Sequence, residues 1–174
     1  TYILPSRTGC ITVTATDATG CTETIVTEAD CTNGNTTDLF LSISPEQSNI
    51  QQGESTCVDV VVGNFEDILS MQFSMDWDAS LVNFDEVTNF YLPGLSASNF
   101  GEPGNNQLTF SWYDANLSGE SLPDNTPIFT LCYTALNTAG TATIELTGSP
   151  TSIEIYNNNN EELSLQSSNG IINI

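Results

Sequence analysis

Strict two-residue alternation, repeated in short segments, constrains this chain more than any other feature. Val58, Val60 and Val62 fall on one side of a segment against Asp59 and Val61, and Met71, Phe73, Met75 and Trp77 fall opposite Gln72, Ser74 and Asp76. Successive side chains of a strand point to opposite faces, so these are strands with one buried side. Strand signals recur at 39–44, 57–63, 69–77, 81–87, 107–113, 127–135, 141–146, 152–156, 161–166 and 170–174, with turn residues between them and little sign of a helix. That spacing predicts an all-β sandwich. Phe110, Trp112, Phe129, Leu131 and Tyr133 are expected to fill its core rather than form a stacking platform for ligands.

The length of 174 residues and the 39% hydrophobic content allow one such domain with an appendage. The polar segment 32–37 marks a boundary, giving a connector at 1–37 and a main domain at 38–174. The connector holds an extended start and two Thr-rich runs, 11–16 and 22–27, around a turn at 17–20. Chains below about 40 residues rarely bury enough surface to fold unaided. This segment is therefore expected to be stapled, docked on its own domain, or completed by another chain. A hairpin turning on 17–20 would set Thr16 opposite Cys21 and Cys10 near Thr27.

Charge excludes whole classes of function. There are 22 acidic residues and one basic one, Arg7, with no His, for a formal charge of -21. Nucleic-acid binding needs a basic footprint, and attraction to an anionic membrane needs the same. Ser–His or Cys–His chemistry, a Schiff-base Lys and a His-ligated zinc all lack their residues. No apolar run approaches the length of a membrane span and no leader segment is visible, so the chain reads as a mature form or an excised piece. No cofactor is required. Calcium is the natural counter-ion, and Asp76, Asp78, Asp114, Asn116, Asp124 and Asn125 offer oxygen ligands near strand ends without an EF-hand spacing.

Five cysteines without histidine partners point to disulfides and an exported, extracellular or cell-surface protein. Cys57 and Cys132 both stand in apolar strand context and are expected to pair. Their bridge would close a long loop, worth about 4 kcal/mol in the chain-entropy account. Cys10, Cys21 and Cys31 form an odd set whose pairing stays open, one thiol being free, joined to another subunit, or matched upstream of Thr1.

The run Cys57 to Phe65, then Ser70-Met71-Gln72-Phe73-Ser74-Met75-Asp76-Trp77-Asp78 and Leu81-Val82-Asn83-Phe84, resembles the opening of a cohesin-like domain. Leu92-Pro93-Gly94-Leu95, Gln107 to Trp112, Ile128 to Tyr133 and Asn169 to Ile174 carry the likeness to the end of the chain. It looks most like the versions in large secreted surface proteins of the Bacteroidota, where a cysteine pair often occurs at these two strands. The resemblance implies a nine- to ten-stranded jelly-roll sandwich and, as in cellulosomes, a dockerin-like partner. The run from Ile11 to Thr22 resembles the end of Ig-like repeats in gliding-type adhesins of the same bacteria.

Three functions compete. The foremost is a structural subunit of an extracellular filament or surface adhesin. In it Thr1, Tyr2, Ile3, Leu4, Pro5 and Ser6 add a strand to a neighbour's open edge, and Arg7 meets the acidic surface beyond. The partner would then be another copy of the chain, or a neighbouring repeat. The alternative is a binding module for a dockerin-like protein or a carbohydrate, using loops 89–94 and 99–104, whose aromatics either meet the ligand or pack over the sandwich mouth. The third, a glycosidase using two carboxylates from Asp76, Asp78, Asp85, Glu86, Asp114 and Asp124, would need a cleft that nothing in the spacing demands. Asn35-Thr36-Thr37 and Asn116-Leu117-Ser118 fit the N-glycosylation pattern, and the Thr-rich surface leaves O-linked glycans open.

Overall fold

The structure is a computed structural model that describes residues 11–16, 22–27, 38–104 and 106–174. Cys10, Cys21, Cys31 and residues 1–7, which carry the predicted connector chemistry, lie outside them. The chain divides into two units, 1–36 and 37–174. In the first, β1 (Ile11–Thr16) pairs antiparallel with β2 (Thr22–Thr27), Thr16 standing opposite Thr22 and Ile11 opposite Thr27. The expected register is off by one residue. The observed one sets Val13 against Ile25 and Thr14 against Thr24 at the middle of the two runs.

The second unit is an all-β sandwich. One sheet holds β3 (Leu39–Ser44), β5 (Ser55–Gly63), β7 (Val82–Thr88), β11 (Thr126–Ala135) and β14 (Leu165–Ser168), in the order β14-β3-β5-β11-β7. The other is built on the path β4-β15-β12-β6-β9-β8: β4 (Gln47–Asn49), β15 (Gly170–Asn173), β12 (Thr141–Thr147), β6 (Phe65–Trp77), β9 (Gln107–Tyr113) and β8 (Phe100–Gly104). Two further strands, β10 (Glu120–Leu122) and β13 (Glu154–Asn157), also pair with β6.

These are thirteen strands, more than the nine to ten expected. The extra ones are pieces that alternation cannot mark. Gln47–Asn49 is polar throughout, Glu120–Leu122 has three residues, and Phe100–Gly104 contains two glycines and Pro103. The run expected at 161–166 pairs only from Leu165, with Glu162 making a lone bridge to Tyr156.

The core lies where the alternation set it. Leu39, Leu41, Ile43, Val58, Val60, Val62, Leu131 and Tyr133 face Met71, Phe73, Met75, Leu108, Phe110, Trp112 and Ile144, all buried. A fully buried side chain of this kind stabilises by about 1.5–3 kcal/mol relative to exposure. Aromatic rings thread the two layers: Phe73 and Phe110 are 4.7 Å apart, Phe110 and Phe129 5.3 Å, and Phe129 and Phe100 4.9 Å. Of the loop aromatics, open to ligand contact or to packing over the sandwich mouth, Phe90 and Phe100 belong to this stack at 6.0 Å from each other, while Tyr91 is exposed. Packing them over the sandwich removes apolar area from water, which an exposed loop would forgo.

Entry and exit strands share a design. β3 and β4 lie in different sheets, β14 and β15 do likewise, and β14 runs parallel to β3 as β15 does to β4. The chain switches sheets at Gly170, where a Cβ would meet Ile43 Cγ2 at 2.3 Å. Only glycine lets the last strand approach the first this closely.

Candidate binding surface

The outer face of the larger sheet is built row by row from pairing register. β6 runs down its middle, with β9 along one edge and β12 followed by β13 along the other. Cross-strand partners share a face. Ser70 therefore stands between Tyr113 and Tyr156, Gln72 between Ser111 and Glu154, Ser74 between Thr109 and Thr147, and Asp76 between Gln107 and Glu145.

The face is polar because its inward neighbours Met71, Phe73 and Met75 took the apolar side of the alternation. Tyr113 is its large exposed apolar element, 65% accessible, and Ser111, Thr143 and Glu145 are exposed too. Ser74 is the exception. Its hydroxyl donates to the Thr151 carbonyl at 3.2 Å and accepts from the Thr151 N–H at 2.9 Å, so the loop after β12 closes over the sheet centre. At the acidic end, Asp76 accepts from Gln107 Nε2 and Thr147 Oγ1, each at 3.4 Å. Asp76, Asp78 and Glu145 line a groove there with Thr141, Thr143 and Trp77.

The turn beyond Tyr113 is fixed by Asp114, whose side chain is buried. Its carboxylate accepts from the backbone of Asn116 (2.9 Å), Ser118 (2.9 Å) and Gly119 (3.0 Å) and from the Ser118 hydroxyl (3.0 Å). The Asn116 N–H, joined by the Ser118 and Gly119 donors, holds this carboxyl below the usual range against the opposing effect of burial. Asp114 is therefore committed to the turn. Asp78 is likewise held low by the Ser80 hydroxyl and then the Ser80 N–H, and Asp124 accepts from the Asn64 N–H at 3.0 Å. Among the described residues, no three Cys, Asp or Glu side chains are placed to hold a metal ion.

The smaller sheet carries the covalent tie. Cys57 and Cys132 are directly opposed on β5 and β11 and form a disulfide, Cα atoms 4.1 Å apart. Hydroxyl and carboxylate pairs continue the same outer face: Ser55 with Thr134 at 2.8 Å, Thr134 donating to Asp85 at 2.7 Å, and Thr130 donating to Asp59. Asp85 and Glu86 thus stand on β7 of the smaller sheet, apart from Asp76 on β6 of the larger, and of the six candidate carboxylates Asp76 and Asp78 share a groove.

The edges of the two sheets are poor acceptors for an added strand. β4 has three residues and β14 four, β8 carries Pro103, and β7 is bulged at Asp85 beside Glu86. Such devices blunt edge pairing.

The larger sheet thus presents a polar outer face with carboxylates at one end. The chain belongs to the cohesin family: the cohesin domain model matches residues 41–174. Among solved structures, it is similar to the sixth cohesin of scaffoldin B from Acetivibrio cellulolyticus, solved with a dockerin. That likeness has 18% identity and a TM-score of 0.64 over 79% of this chain and 99% of the other. It is similar also to the OlpA cohesin of Clostridium thermocellum, again in a dockerin complex (16%, 0.64, 79% and 99%). A third is the non-cellulosomal cohesin of the archaeon Archaeoglobus fulgidus (18%, 0.61, 79% and 91%). At these identities the likeness is one of fold. No curated protein matches the sequence.

Proposed function

We propose that this chain is an extracellular cohesin-type binding module that takes a dockerin-like protein on the outer face of its larger sheet. The observation that carries the reading is the family match over 41–174, which spans nearly the whole sandwich and every row of that face. Tyr113 and Tyr156 flank the small Ser70 as aromatic anchors, the residue type that dominates binding energy at interfaces. Asp76 and Glu145 at the other end favour basic or hydrogen-donating groups on the partner and accelerate its approach at low salt. Export fits the Cys57–Cys132 bridge. No helix among the described residues is long and apolar enough to cross a membrane.

The filament reading, with residues 1–37 as connector and Thr1 to Arg7 as a donated strand, rests on residues outside those described and needs an open edge. The blunted edges of the sandwich favour face binding over strand donation. Calorimetry of the full chain against a panel of dockerins tests the proposal. We expect one-to-one binding that weakens with added salt and falls by about 30-fold or more in Tyr113→Ala, the size of an interface hot spot. Absence of binding to every dockerin would refute the module reading. Binding indifferent to Tyr113 would refute the choice of face.

A further inference from the structure

We propose that the mouth between the two sheets, at the Trp77 end, is a binding site for a neutral sugar residue. A cleft of about 370 Å³ opens there, lined by Trp77, Val82, Asn83, Phe84, Glu102 and Gln107 among others. That volume lies in the range of small-ligand sites.

The floor is aromatic and incompletely covered. Trp77 is the last inward position of β6, yet it stays half-buried where Met71, Phe73 and Met75 are sealed. Its ring lies 5.1 Å from Phe84 and 5.9 Å from Tyr133, and Phe84 is also half-buried. Tyr133 behind them is closed off completely. Two aromatic surfaces therefore face the cleft from a rigid cluster.

The rim is polar and rich in acceptors, with Asn106 adding an amide that can also donate. Asn83 Nδ2 donates to the Phe84 carbonyl (3.0 Å) and to Asp85 Oδ1 (3.2 Å), which leaves its amide oxygen for a ligand. Gln107 Nε2 donates to Asp76 Oδ2 (3.4 Å) and the Ser149 carbonyl (3.3 Å), which leaves Oε1. Glu102 is exposed on β8 and supplies a carboxylate. Asn83, Gln107 and Glu102 thus bring acceptor oxygens to the rim of an apolar floor, the two amides being tied by hydrogen bonds within the protein.

A matching ligand donates several hydrogen bonds at its edge and presents an apolar face. A pyranose does both, its hydroxyls lying around the ring and its C–H groups on the face that meets the indole. Phosphorylated or acidic sugars are disfavoured, since the cleft is lined by no cationic residue and Glu102 repels them. The cleft shares Gln107 with the acidic end of the face proposed for the protein partner, but Tyr113 does not line the cleft and Glu102 is in none of the rows of that face, so Tyr113→Ala and Glu102→Ala tell the two readings apart.

The test is titration of the full chain with neutral cello-, xylo- and manno-oligosaccharides, read by calorimetry and tryptophan fluorescence. Trp112 is buried with its Nε1 donating to the Pro93 carbonyl at 2.9 Å, so a ligand-dependent change reports Trp77. We expect saturable binding by at least one series, weakened about tenfold or more in Glu102→Ala, one charge-assisted hydrogen bond being worth roughly that factor. Glu102→Ala is exposed and should keep the melting temperature, and Asn83→Ala gives a second rim variant should it not. Trp77→Ala is the less clean variant because the indole also packs on Tyr133. Silence of all three series up to about 10 mM, weaker than useful recognition, would overturn the proposal. So would affinity unchanged in both rim variants, or binding confined to arginine ethyl ester, which would make the cleft a cation site.

Discussion

Removing the Cys57–Cys132 bridge should cost the sandwich most of its loop-closure advantage and little else. The two residues are 75 positions apart and directly opposed in an antiparallel ladder that continues on both sides, from Ser55–Thr134 to Val62–Thr126. In the native state, the ladder holds β5 against β11 with or without sulfur. The bridge therefore acts on the unfolded chain, where closing a 75-residue loop is worth about 4.5 kcal/mol in the chain-entropy model. Cys57 is exposed and takes serine without burying a polar group, whereas Cys132 is buried and takes alanine. The comparison is C57S/C132A against its parent, both carrying C10S/C21S/C31S so that no other thiol exchanges. Urea unfolding followed by tryptophan fluorescence should lose about 3–4.5 kcal/mol, with a steeper denaturant slope because the released chain exposes more surface. A loss under about 1 kcal/mol at unchanged slope would refute the reasoning, since the entropic term would then be absent.

Three further outcomes follow from packing and charge. Gly170→Ala forces a methyl to within 2.3 Å of Ile43 Cγ2 and should destabilise by about 1–3 kcal/mol as overpacking; an unchanged melting temperature would contradict the close approach. Ser74→Ala leaves the Thr151 N–H and carbonyl without their shared partner. The cost should be about 1–3 kcal/mol, and amide exchange at Thr151 should speed up; protection equal to the parent's would count against the clamp. Asp114, whose carboxyl is held low by the Asn116 N–H and its companions, stabilises fully above the unfolded-chain value, and that contribution fades as pH falls through the folded value. Asp114→Asn should therefore lower stability at neutral pH and flatten the acid limb of the curve, and parallel pH profiles for the two proteins would exclude this role.

Strand positions were legible where one face is buried and the run is long. Residues 39–44 and 107–113 show this, because the alternation of Leu39, Leu41 and Ile43, or of Leu108, Phe110 and Trp112, is imposed by the core itself. It fails at Gln47–Asn49 and Phe100–Gly104, whose pairing is dictated by neighbours rather than by their own side chains. The face proposed for binding was hidden for a different reason. Tyr113 and Tyr156 share a row only because β9 and β13 flank β6 on opposite sides, and strand neighbours are not written in chain order. Glu102 lay within a loop singled out for its aromatics, yet those rings went to the core and the carboxylate to the cleft. The Cys57–Cys132 pair was legible, since two cysteines in two apolar runs have few places to meet in a sandwich.

The parallel alignment of β14 with β3 and of β15 with β4 has a mechanical consequence. Leu39 pairs with Leu165 at the end where the sandwich begins, and Asn49 with Asn173 at the end where it finishes, with the Leu39 N–H on the Ser164 carbonyl and the Ile50 N–H on the Asn173 carbonyl. Tension applied between those two ends runs along the strands, over a span of roughly 30 Å at about 3.3 Å per residue. It loads the rungs of both ladders together in shear instead of peeling them one by one. A module of this build, pulled in that direction, has to shear both ladders at once before it can extend.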